Sequence, residues 1–128
     1  MNNQTKTEPI ITPAAEIVRQ RSADFIARYA NYSHLESSLW DSKILFGQTD
    51  QTLGNTVPVH TALTLPWPQL KVLSYFLSIH LAAYEADNGR IKIPSGIVPP
   101  APPNSAFREL YEKFIATNPE AAPKEEKS

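Results

Sequence analysis

The stretch LPWPQLKVLSYFLSIHLAAYEADNG, residues 65–89, decides the fold. Leu70, Leu73, Leu77, Leu81 and Tyr84 recur at spacings of three and four and fall on one stripe of a helix. Val72, Phe76, Ile79 and Ala83 form a second apolar stripe beside it, leaving a narrow polar remainder of Lys71, Ser74, Ser78 and Glu85. Pro66 or Pro68 suits a first helical turn, where a missing N–H costs little. Asn88-Gly89 ends the run, because glycine takes a left-handed C′ position without a Cβ penalty. The pattern therefore predicts a helix over 67–88. Covering one sheet face needs an apolar stripe about 100° wide, and this helix offers more. The surplus must meet something, either the second helix or a second copy of the chain, and the second copy is the favoured occupant.

Working towards the N-terminus, three runs alternate as strands do. Val57, Val59, Thr61, Leu63 and Leu65 share one face, opposite Pro58, His60, Ala62 and Thr64. Before a polar loop at 48–55 with its Gly54-Asn55 turn signal, Trp40, Ser42, Ile44 and Phe46 face one way, and Asp41, Lys43 and Leu45 the other. Ser37-Ser38 offers a turn. The first run puts Phe25, Ala27, Tyr29, Asn31, Ser33 and Leu35 on one side, and Ile26, Arg28, Ala30, Tyr32 and His34 on the other. Short connections force antiparallel neighbours. The expected fold class is α+β: a three-stranded antiparallel meander (24–36, 39–48, 56–65), covered by the long helix, plus a short C-terminal helix. The expected core is Phe25, Tyr29, Trp40, Ile44, Phe46, Val57, Val59, Leu63, Leu70, Leu73, Leu77, Leu81 and Tyr84.

Outside this unit the organisation is looser. Residues 1–22 read as a flexible segment, within which Thr12-Pro13 can open a short helix running to Val18. The β-β-β-α domain occupies 23–98, and Ile91 and Ile93 alternate with Lys92 as a short extra strand would. Residues 99–103 (Pro-Pro-Ala-Pro-Pro) form a stiff spacer. Asn104 can cap an amphipathic helix to 117 that carries Phe107, Leu110, Tyr111, Phe114 and Ile115. That helix either folds back on the domain or acts as an arm for another chain. Residues 118–128 read as a disordered tail.

Composition bounds the function. The 128 residues are one domain's worth, and 12 Lys+Arg balance 13 Asp+Glu for a net charge of −1. Arg19, Arg21 and Arg28 are the nearest approach to a basic cluster, which argues against strong nucleic-acid binding. The absence of cysteine removes disulfides and thiolate chemistry and suits a reducing cytoplasm. No apolar run is long enough to span a bilayer, and the N-terminal residues lack a secretory pattern. The four glycines, at 47, 54, 89 and 96, have no phosphate-loop spacing, and no serine sits beside a base and an orienting acid. His34 and His60 share a sheet face by alternation, but two histidines fall short of a metal site. Asp41 reads as a hairpin-fixing carboxylate. No enzymatic activity, cofactor or metal is expected. Candidate partner-binding residues are Tyr29, Tyr32, Trp40, Trp67, Phe76 and Ile79.

Tyr29-Ala30-Asn31, Ser38 through Trp40-Asp41, Leu45-Phe46-Gly47, Leu65-Pro66, Tyr84-Glu85, Gly89 and Ile91 stand in an order and spacing that resemble a prokaryotic family. It is the uncharacterised one called domain of unknown function 3467, and the likeness covers roughly residues 25–93. Leu65 stands where that pattern wants a capping serine, and Trp67-Pro68 is a departure in the helix opening. The resemblance implies a compact strand-strand-strand-helix unit and brings no activity. The layout is also similar to export chaperones of the SecB type, by architecture alone. The expectation is a small non-enzymatic protein-interaction module, cytoplasmic and homodimeric. The alternatives are a SecB-like holdase and a small nucleic-acid-associated regulator.

Overall fold

A computed structural model describes residues 16–124. Its elements are β1 (Tyr32–Ser37), β2 (Asp41–Gly47), a 3-10 turn (Gln51–Leu53), β3 (Val59–Pro66), α1 (Trp67–Asn88), α2 (Arg108–Thr117) and a second 3-10 turn (Pro119–Ala121). The strands form one antiparallel sheet in the order β1-β2-β3, so the class is α+β with one long and one short helix.

β2 is the central strand, and its alternation holds over Ser42–Ile44: Ser42 and Ile44 are buried and Lys43 between them is exposed, whereas Leu45 and Phe46 are both half-buried. The buried Ser42 hydroxyl is satisfied by Ser37 Oγ at 3.0 Å, so its burial leaves no orphaned polar group. β1 pairs with β2 from Asn31 N–H donating to Gly47 O (3.1 Å) to Ser38 N–H donating to Asp41 O (2.8 Å). At the open end the Asn31 side chain continues the ladder: its Nδ2 donates to Thr49 O (3.0 Å) and its Oδ1 accepts from Thr49 N–H (2.8 Å). Gly47 is required by a close approach, since a Cβ there would run into the Pro58 carbonyl. That same carbonyl accepts the Gln48 N–H at 3.2 Å.

The turn between β1 and β2 is Leu39-Trp40. No non-glycine residue among those described has positive φ, so the usual primed hairpin turns do not apply. Ser38 Oγ takes over instead, accepting the N–H groups of Trp40 and Asp41, both at 3.2 Å. The Asp41 carboxylate accepts from that hydroxyl (3.1 Å), so serine rather than aspartate ties the backbone. Trp40 consequently sits at the hairpin tip and not on the core face expected of it.

α1 occupies the 22 residues that periodicity indicates. Pro66 is its N-cap residue and supplies no side-chain bond, while Gly89, at φ 87°, donates its N–H to Glu85 O (2.9 Å). No α1 residue is buried; Leu70, Leu73 and Glu85 are half-covered and the others are exposed.

Two compact units can be distinguished. One holds the described residues before Glu36 together with Ile44–Leu63; the other holds Glu36–Lys43 and the described residues from Thr64 on. In the first, residues 16–31 contain no strand, contrary to the expected start of β1 near 24. Phe25 lies instead under the Arg21 guanidinium, 5.0 Å from its ring centre. Glu16, Ile17 and Val18 are not helical, and Thr12-Pro13 lies outside the described residues. In the second unit residues 90–93 form no strand, because two carboxylates take their amides. Glu85 Oε2 accepts Ile91 N–H (2.8 Å) and Glu120 Oε1 accepts Ile93 N–H (3.3 Å).

Residues 119–124 are correspondingly better ordered than their composition suggests. Ala121 is fully buried, and Glu120 makes a two-bond pair with Arg90 (2.8 and 3.0 Å). α2 begins at Arg108 with Phe107 in the cap position, three residues beyond the expected Asn104 cap. Residues 102–107 turn first, Ser105 N–H donating to Pro102 O. Arg108 then reaches back to Ala101 O (2.8 Å) and fastens the proline-rich spacer to α2.

The Arg90 hydrogen bonds hold the Glu120 carboxyl at about 2, below its ordinary 4.5. A depressed carboxyl stabilises the pairing fully above its ordinary value, and the contribution is lost as pH falls from there towards 2. Acidification over that window should therefore release residues 119–123 before the rest of the unit, seen as faster exchange of the Ile93 amide. Glu120→Gln should give the same release at neutral pH and abolish the pH step.

Candidate interaction surface

The expected core residues divide sharply. Ile44, at 8% exposure, is the one large apolar side chain buried among the described residues. Phe25, Tyr29, Trp40, Val59, Leu63, Leu77, Leu81 and Tyr84, all assigned to the core from the sequence, are exposed. Alternation places a residue on a face, but burial also requires something on the other side of that face.

The candidate binding residues do not form one cluster. Tyr29 lies before β1, its carbonyl accepting from His60 Nε2 at 3.0 Å, and Tyr32 opens β1. Trp40 and Trp67 both hang on Ser38: the Trp40 amide donates to its hydroxyl, and the Trp67 indole donates to its carbonyl at 3.0 Å. Trp67 is thus an anchor, holding the first residue of α1 to the hairpin turn. Trp40 is free at the tip, 80% exposed, beside Leu39 at 81%. Phe76 and Ile79 lie on the same α1 stripe and are 49% and 43% exposed. Tyr75, 62% exposed, packs edge-tilted against Phe76 with ring centres 5.6 Å apart.

Leu39 and Tyr75 belong with these residues and were missed from the sequence. A non-glycine two-residue turn gives no sequence signal for Leu39, and Tyr75 lies off both apolar stripes.

Polar side chains are largely committed to local structure. His60 uses both ring nitrogens, Nδ1 against Thr61 Oγ1 (2.7 Å) and Nε2 against the Tyr29 carbonyl. β1 and β3 lie on opposite sides of β2, so His34 and His60 stand on strands that are not neighbours. Asp24 accepts from the Ser22 hydroxyl at 2.6 Å, which pulls its carboxyl below the ordinary range. Asp50 is lowered likewise by Thr52, as it caps the 3-10 turn. Among the described residues no three His, Asp or Glu side chains gather as metal ligands would.

Two open grooves accompany these features. In the first unit, Asp24, Ile26, Arg28, Phe46 and His60 border a groove of about 730 Å³. In the second, Leu81, Glu85, Arg90, Ile93 and Phe114 border one of about 530 Å³, with α2 folded back as one wall. Its charged groups, Arg90 and Glu85, are the ones already paired with Glu120 and the Ile91 amide.

Comparison with family models, curated proteins and solved structures gives no match. Among the described residues no helix is long and apolar enough to cross a membrane.

Proposed function

We propose that this chain is a non-enzymatic protein-interaction module of the cytoplasm that works as a homo-oligomer, most simply a dimer. Its likeness to the domain of unknown function 3467 family is part of the same reading. The observation that carries it is α1: from Val72 to Tyr84 no Asp, Glu, Lys or Arg occurs, yet no residue of the helix is buried. Monomers that stay in solution rarely expose so continuous an apolar surface. A second copy covers it without requiring any further gene product.

The test is sedimentation velocity from low to high micromolar concentration, with ANS fluorescence alongside. A stable oligomer with little dye binding is expected. A monomer that binds no dye would overturn the reading, since the apolar surface would then be covered within one chain.

A second reading, a SecB-like holdase, is favoured by the adjacent Leu39 and Trp40 at the hairpin tip. Large side chains held out on a fixed turn suit transient capture of unfolded apolar segments. Suppression of client aggregation by the parent chain, lost in Trp40→Ser, would distinguish it.

A further inference from the structure

We infer that the turn at 89–93 is a recognition site for a carboxylate-bearing peptide segment, and that Glu120 is its built-in, displaceable occupant. The inference rests on the protein-interaction reading and names a partner chemistry for it, without requiring self-association.

Three donors converge on one carboxylate. Arg90 donates through both terminal guanidinium nitrogens, to Glu120 Oε1 at 2.8 Å and Oε2 at 3.0 Å. The Ile93 N–H donates to Oε1 at 3.3 Å. A guanidinium fork engaged at both oxygens selects a planar carboxylate by geometry as well as by charge.

The receiving turn is shaped without its occupant. Gly89, at φ 87°, donates its N–H to Glu85 O, and Glu85 Oε2 accepts the Ile91 N–H at 2.8 Å. Both ties come from α1 and neither involves residues beyond 93. The donors are therefore set in place before a carboxylate arrives, which lowers the cost of binding one. The residue after Glu120 completes the fit: Ala121 is fully buried between a half-buried Glu120 and a half-buried Ala122. The recognised feature is a glutamate followed by a small apolar residue.

The occupant is displaceable because so little else holds it. Among the described residues, every hydrogen bond between 94–124 and the residues before them ends on the Glu120 carboxylate. The ion pairs of α2, Arg108 with Glu112 and Lys113 with Glu109, are internal to that helix, and the Arg108 bond to Ala101 O stays within the arm. Leu81 of α1 and Phe114 of α2 border an open groove of about 530 Å³ instead of closing it. An arm behind a proline-rich spacer, docked by one carboxylate, is a tethered ligand. It excludes an outside segment only through its effective concentration, on the order of millimolar for short flexible tethers.

The test vacates the site in the full chain with Glu120→Ala. The probe is the end-blocked peptide Asn-Pro-Glu-Ala-Ala-Pro, the sequence of residues 118–123, followed by the NMR signals of the Ile93 amide and the Arg90 guanidinium. Saturable shifts are expected, with an affinity at least about tenfold higher than for the parent chain, where Glu120 competes. Glutamine in place of the peptide's glutamate, or Arg90→Gln in the vacated chain, should each weaken binding at least about tenfold. Circular dichroism checks folding, and Glu120→Gln replaces the alanine variant if that one loses helix. A folded, vacated chain whose Ile93 and Arg90 signals ignore the peptide would overturn the inference, as would equal binding of the glutamate and glutamine peptides. Either result would leave the Arg90–Glu120 pair a structural tie, and the interaction-module reading would stand or fall separately by sedimentation.

Discussion

Ile79→Lys should turn a self-associating chain into a monomer, with the dissociation constant raised at least about a hundredfold. On the homo-oligomer reading α1 supplies the interface, and Ile79 lies at the middle of its uncharged run from Val72 to Tyr84, so each copy would bring an ammonium group to the contact. Like charges brought together on a desolvated surface cost several kcal/mol, and a hundredfold change corresponds to about 2.7 kcal/mol. The effect should be graded by side chain. Ile79→Val, which keeps the surface apolar, should weaken association only slightly. Sedimentation equilibrium across the series measures this directly. An unchanged association constant in Ile79→Lys would mean that the apolar run of α1 is not the associating surface.

Gly47→Val should be the most destabilising single change in the sheet. Gly47 is buried, and the Pro58 carbonyl occupies the space a Cβ needs. The obstructing atom is backbone, tied to the Gln48 N–H, so it cannot swing aside as a side chain would. Separating β2 from the approach to β3 also disturbs Ile44, the one large buried apolar group among the described residues. Overpacking of this kind costs about 3 kcal/mol, a large share of the 5–15 kcal/mol typical of a folded domain. Urea denaturation should show a lowered midpoint. Gly47→Ala should lie between parent and valine, since even one methyl meets the same oxygen.

The elements legible in the sequence are those whose signals are local. α1 runs over its predicted residues because two apolar stripes, an opening proline and a closing glycine all fall within that stretch. β2 buries Ser42 and Ile44 on the face where alternation puts them. The misreadings involve partners distant in sequence. β1 starts eight residues later than the alternation from Asp24 suggests, because pairing begins only where Asn31 meets Gly47 and Thr49. Residues 91–93 alternate like a strand, but their amides go to Glu85 and Glu120. Residues 119–124 look like part of a tail until Glu120 finds Arg90, 30 residues earlier.

The binding residues divide in the same way. Phe76 and Ile79 stand out by helical spacing. Trp40 stands out as an aromatic, but its alternation points to the core face, whereas the Ser38 hydroxyl moves the turn two residues on and leaves it at the tip. The anchoring role of Trp67 depends on the Ser38 carbonyl, 29 residues away, and no local pattern encodes it.

The placement of these two tryptophans, the only ones in the chain, gives the protein its own optical reporter. Trp40 stands in water at the hairpin tip, whereas the indole of Trp67 is half-shielded and hydrogen-bonded. Their emission should differ in colour, Trp40 to the red. Anything that closes over the tip would shift the spectrum to the blue and protect it from iodide quenching. Pairing along α1 would leave the red component unchanged. An unlabelled sample in a fluorimeter can therefore tell capture at the hairpin from assembly through the helix.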